Sequence, residues 1–177
     1  GNQWHSNPLN VGTSGTFAGG SGGSGQLANG WLVSTDFSGT TVSCSKVAAD
    51  GGDSNTTPWQ RFSLTSVHLN GSIQAETTPV GRTLTSSDPS ELTAVVEYRL
   101  NALDLTKLQY IEFLMETNTG DLLGPRMRLD MGVATNVSHT GVLHHKVHRT
   151  GSTSPASAKI KFFILGAASG SNIGSID

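Results

Sequence analysis

Glu112 and Glu116 stand four residues apart in LQYIEFLMET, a run whose apolar residues alternate with polar ones. Two carboxylates on one strand face raise the chemistry of glycoside hydrolysis, one acting as acid and the other as base or nucleophile. Strand geometry puts them on the order of 13 Å apart, wider than either hydrolytic arrangement uses. They are therefore not each other's partner, and Glu97 or Asp130 would have to come in from another strand. No G-x-S-x-G elbow and no H-E-x-x-H pair occurs. The expectation is a protein without catalysis.

Metal and phosphate chemistry fare similarly. His144, Lys146 and His148 fall at i, i+2 and i+4, so a strand would project all three to one side. The Lys146 ammonium would repel a shared cation, and no cysteine or carboxylate nearby completes a zinc set. A solvated outer face is the better reading, with His145 turned inward. DGGDSN at 50–55 offers oxygen ligands of the kind calcium takes, but lacks the closing Glu of an EF-hand and reads as an Asp/Gly turn. Gly20, Gly22 and Gly25 match G-x-G-x-x-G. A dinucleotide turn needs a strand before the first glycine and a helix after the last. GTSGTFA has no apolar strand core, and QLANGW is broken by Asn29-Gly30. It is not a phosphate cradle.

Aromatic and polar residues displayed together point elsewhere. A ring stacked on the apolar face of a sugar, flanked by hydrogen-bonding side chains, is one form of the usual aromatic-plus-polar ligand site. Trp59 and Arg61 lie out of phase with Phe62 and Leu64. Tyr110 shares its phase with Glu112, and Arg128 points outward in RMRLDMGV. These five, Trp59, Arg61, Tyr110, Glu112 and Arg128, are the candidate ligand-binding residues.

The elements that must position them are strands. Period-two alternation runs through WQRFSL, LTAVVEYRL, LQYIEFLMET, RMRLDMGV, LHHKVH and KIKFFIL, separated by clusters such as NG at 70–71 and SSDPS at 86–90. Runs near 31–37, 40–47, 59–68, 71–76, 92–100, 109–116, 126–133, 142–148 and 159–166 give eight or nine antiparallel strands. A single helical turn is expected within 101–109, with Asp104 at its start. Strands with one apolar face each imply two sheets face to face, an all-β jelly-roll β-sandwich. The 177 residues suit one domain over 1–177, with 12–25 as a Gly/Ser-rich surface loop.

Composition agrees. Charged residues make up 14% of the chain and glycines number 22, a balance that favours turns and pleated surface over helices. The formal net charge of −2 gives no electrostatic footprint for nucleic acid or an anionic membrane. FFILGAA, the longest apolar stretch, is too short to cross a bilayer. Cys44, the one cysteine, alternates in phase with Val42 and reads as a small buried hydrophobe.

The order of motifs NPL at 7–9, LANGW at 27–31, FSGTTVSCS at 37–45 and PWQRFSL at 58–64 resembles jelly-roll accessory modules. These are the galactose-binding-like and carbohydrate-binding domains that accompany glycoside hydrolases, SGNH-type esterases and phage tail proteins. The resemblance implies a closing strand in SNIGSID and an extracellular or virion-associated setting. It also implies a structural calcium near the first and last strands, for which Asn7, Asp36 and Asp177 are the candidates. The expected function is a non-catalytic carbohydrate-binding module with no nucleic-acid or membrane partner. A trimerising or capping module of a phage tail or fibre, working as a homo-oligomer, is the alternative. A small polysaccharide hydrolase or lyase is the third reading.

Overall fold

Alternating β-branched and aromatic residues, punctuated by Gly, Asn and Pro, fold into twelve strands among the described residues. The computed structural model describes residues 15–18, 24–27, 31–47, 59–77, 91–117, 122–129, 133–148 and 158–177. The strands are β1 (Gly15–Ala18), β2 (Ser24–Gln26), β3 (Leu32–Thr35), β4 (Thr41–Val47), β5 (Trp59–Val67) and β6 (Ser72–Glu76). They continue as β7 (Glu91–Leu103), β8 (Leu108–Thr117), β9 (Leu122–Leu129), β10 (Val137–His148), β11 (Ala158–Gly166) and β12 (Gly170–Ile176). A 3₁₀ turn, Leu105–Lys107, joins β7 to β8, and the Asp104 side chain caps it by accepting from the Thr106 backbone N–H.

The strands form two six-stranded antiparallel sheets, ordered β1-β4-β5-β12-β7-β10 and β2-β3-β6-β11-β8-β9. The pairings β8 with β9, β7 with β10, β6 with β11 and β5 with β12 are nested, as in a hairpin ribbon rolled into two layers. That is jelly-roll topology. β4 and β1 extend the first sheet beyond β5, and β3 and β2 extend the second beyond β6. Parts of the segment 12–25, expected as loop, are thus edge strands of both sheets. β2 is SGQ, in which Gly and Ser carry no strand signal of their own, and β1 is only four residues, GTFA, so pairing to β3 and β4 decides their conformation.

Inward residues of both sheets meet in one apolar layer. Trp31 packs edge-on to Phe62 at 5.4 Å and Phe162 at 6.0 Å, and Phe62 meets Phe162 at 4.8 Å. Ile111, Phe113, Leu64, Ile73 and Ile164 fill in around them. Each aromatic pair adds roughly 0.5–1.5 kcal/mol beyond area burial. Cys44 is buried in this layer, and burial pushes its thiol pKa up to about 12. It is a packing residue, as expected.

Two irregularities steer side chains towards clusters on the outer faces. In β12 the register shifts between Ser171 and Gly174, where Gly174 takes a φ of 117°. A Cβ there would stand 2.6 Å from the Asn101 carbonyl oxygen. In β9 the register shifts so that Leu114 of β8 faces three residues, 124–126. Such bulges re-aim the residues that follow.

Candidate functional site

On the outer face of the second sheet, β8 supplies Tyr110 and Glu112, β9 supplies Arg126 and Arg128, and β11 supplies Phe163. The pairings Glu112 to Arg128, Glu112 to Phe163, Phe163 to Gln74 and Gln74 to Ser34 form one row across five strands. Arg128 lies with its guanidinium carbon 4.2 Å from the centre of the Tyr110 ring. Phe163 stacks with the same ring at 6.0 Å and 26°. Because β9 and β11 flank β8 on opposite sides, Tyr110 meets both Arg128 and Phe163.

Glu112 points outward, as the alternation requires, yet its side chain is only 1% exposed. Two guanidiniums roof it: Arg126 Nη1 stands 3.5 Å from Oε1 and Arg128 Nη2 stands 3.6 Å from Oε2. The arginine side chains themselves remain 59% and 58% exposed. The bulge in β9 brings both arginines onto one carboxylate. Alongside runs a second ion network, in which Lys159 meets Glu76 at 3.0 Å and Glu116 at 3.7 Å, and Lys161 meets Glu116 at 3.6 Å.

The other two candidates, Trp59 and Arg61, sit on the outer face of the first sheet. There they belong to a tighter cluster. The Asp177 side chain is fully buried. Arg61 donates to it from Nε at 2.7 Å and from Nη2 at 2.9 Å. Arg99 donates from Nε at 2.8 Å, and Asn101 adds Nδ2 at 3.2 Å. Arg99 in turn lies over Trp59, 4.7 Å from the ring centre. Burial works to raise the Asp177 carboxyl pKa. The bonds from Arg61 and Arg99, Arg61's charge and the Asn101 amide outweigh it and hold the carboxyl below its ordinary value. The same bond raises the Arg61 guanidinium. Arg99 and Asp177 also exchange backbone hydrogen bonds at 3.0 and 2.9 Å.

The five candidates are therefore divided between opposite faces of the sandwich. Sequence reasoning missed Arg126, Phe163, Arg99 and Asn101 as members of these clusters. Their outward phase was visible: Phe163 shares its phase with Lys159 and Lys161, and Arg126 with Arg128. Which outward residues meet was not.

Of the calcium candidates, the two described residues, Asp36 and Asp177, lie apart. Asn7 lies outside the described residues, as do DGGDSN at 50–55 and Trp4. Asp36 Oδ1 accepts from the Ser72 backbone N–H at 2.5 Å, at the end of the sandwich where β12 begins. Asp177 lies at the far end of that seven-residue strand, roughly 20 Å away at about 3.3 Å per residue. Its charge is already matched by two guanidiniums. Among the described residues, no group of three or more His, Cys, Asp or Glu gathers in a way that could hold a metal.

β10 carries the histidine run on the edge of the first sheet, where His144 is exposed. The side chains of His145, Lys146 and His148 lie outside the described residues. One exposed aromatic was not anticipated. Phe37, in the turn before β4 with a φ of 62°, stacks on His68 at 5.4 Å.

No protein-family model matches the chain, and no curated protein matches it. Among solved structures, the enzymatically active domain of tailspike protein 4 from bacteriophage CBA120 is similar, with a TM-score of 0.47 and 14% sequence identity. The match covers 82% of this chain and 18% of that one, so the chain spans less than a fifth of its length. Among the described residues, no helix is long and apolar enough to cross a membrane.

Proposed function

We propose that the outer face of the second sheet binds a polysaccharide or glycan without cleaving it. The observation that carries this is the Arg128–Tyr110–Phe163 cluster beside two arginines whose heads stay in solvent. It joins apolar ring rims to hydrogen-bond donors placed beside them, the combination that recognises a sugar's CH and OH groups. Gln74 and Ser34 prolong the row with neutral hydrogen-bonding groups. Glu112 serves this face as an anchor for the arginines rather than as a catalytic acid. The resemblance in LANGW and PWQRFSL supports the same role, that of an accessory module of a secreted enzyme or of a phage or cell-surface protein.

Affinity electrophoresis against a panel of neutral and acidic polysaccharides tests the proposal. At least one polysaccharide should retard the protein, and Phe163→Ala should abolish the retardation. Trp59→Ala, on the opposite sheet, should leave it intact. Retardation lost equally in both variants, or absent throughout, would sink the reading.

A second reading, assembly into a homo-oligomer, has one specific observation behind it. Val95 of β7 and Val142 of β10 are both exposed on the outer face of the first sheet, diagonal neighbours at its edge. Light scattering decides it: a clean monomer across concentrations removes this reading.

A further inference from the structure

We propose that the ligand of the second sheet is a saccharide bearing carboxylate groups, held by Arg126 and Arg128 together. This rests on reading that face as a glycan site and adds the chemistry of what it selects.

Each guanidinium carries five N–H donors in one plane. Arg128 holds its guanidinium carbon 4.2 Å from the centre of the Tyr110 ring, and its donors surround that carbon. One donor of each arginine is directed to Glu112, at 3.5 and 3.6 Å, and more than half of each side chain faces water. Remaining donors are thus available at the surface. Two arginines two residues apart on β9, about 6.6 Å along the strand, are tethered to the two oxygens of one carboxylate. The shared carboxylate draws both forks towards one point while leaving them loosely held, so they stand close enough together to meet one ligand.

Charge favours the same ligand. Among the described residues of these two ion networks, Arg126, Arg128, Lys159 and Lys161 stand against Glu76, Glu112 and Glu116, an excess of one positive charge on a chain of net −2. The three carboxylates lie low, at 1% and 13% exposure, while the arginine heads are uppermost. An incoming anion therefore meets guanidinium first. The ring rims of Tyr110 and Phe163 beside it favour a carboxylate carried on a sugar ring over a free inorganic anion. A nucleic acid is the weaker fit, because two exposed arginines would neutralise few phosphates.

The test uses the intact protein with acidic polysaccharides, such as polygalacturonate, alginate, hyaluronan and polysialic acid. Each is paired with its own esterified or carboxyl-reduced form, which keeps the backbone and removes the charge. Dextran sulfate and single-stranded DNA serve as anionic controls. At least one acidic polymer should bind about tenfold more tightly than its neutralised form, the size of one good charge-assisted contact. Arg128→Lys, which keeps the charge and loses the fork, should reduce that ratio several-fold with an unchanged circular dichroism spectrum. Arg126→Gln together with Arg128→Gln should abolish it. Equal binding of acidic and neutralised forms, with Phe163→Ala still abolishing both, would overturn the carboxylate inference and leave the glycan reading standing. Equal or tighter binding of dextran sulfate or DNA would also overturn it, in favour of unselective charge. No binding to any polysaccharide would remove the glycan reading and this inference with it.

Discussion

The two outer faces use the same parts for opposite ends. Each sets a buried carboxylate beneath two arginines and lays one arginine over an aromatic ring. On the first sheet, Asp177 receives Arg61 and Arg99 at 2.7–2.9 Å, and the arginine side chains are 29% and 19% exposed. On the second, Glu112 receives Arg126 and Arg128 at 3.5–3.6 Å, and theirs are twice as exposed or more. Close, multiply bonded guanidiniums fasten β5, β7 and the end of β12 into one layer. Loosely held ones keep donors for a ligand. A carboxylate's neighbours thus matter less than how completely they are used.

The largest effect expected from breaking this contrast is at the clasp. Asp177→Asn leaves two partly buried guanidiniums short of their counter-charge and should destabilise the fold by about 3 kcal/mol in urea unfolding. A loss below 1 kcal/mol would mean that the two clusters do not differ in kind. Gly174→Ala should cost about 2 kcal/mol, because its positive φ and the nearby Asn101 carbonyl leave no room for a Cβ. This tests the bulge that delivers Asp177 to its arginines.

Glu112→Gln should cost less stability, about 1–2 kcal/mol, while weakening glycan binding about tenfold through freed arginines. A variant that loses stability and keeps full affinity would contradict the anchoring role. Acid should discriminate the faces too. The folded Asp177 carboxyl lies below its unfolded value, about 3.9, so its contribution is complete above that pH. It is lost as the pH falls through the lower folded value, and Asp177→Asn should flatten that part of an acid-unfolding curve. Smallest of all is the stability change for Arg128→Gln, expected within about 1 kcal/mol because its ion pair is long and exposed.

Much of this was legible in the sequence. Alternation placed Ile111, Phe113 and Met115 inward and Tyr110 and Glu112 outward, and the capped turn at Asp104 was visible beforehand. Strand phase is a local property, set by neighbours two residues away, so composition and spacing determined the sandwich and the inner and outer faces of most strands. β2 escaped because Gly and Ser have no phase to read, and β1 because GTFA is too short to show an alternation. RMRLDMGV gave β9 a start four residues late, since LLGP before it carries Gly and Pro.

What the tertiary structure alone decided is which outward residues meet. Arg61 and Asp177 are 116 positions apart and become partners because β12 returns between β5 and β7. Arg126 reaches Glu112 because β9 holds two extra residues opposite Leu114. Trp59 and Tyr110, equal candidates in sequence, end on opposite sides of the molecule. A strand's pattern fixes the direction of its side chains, but the long-range pairing of strands supplies their neighbours. In this protein, those neighbours separate a closed ion pair from an open one.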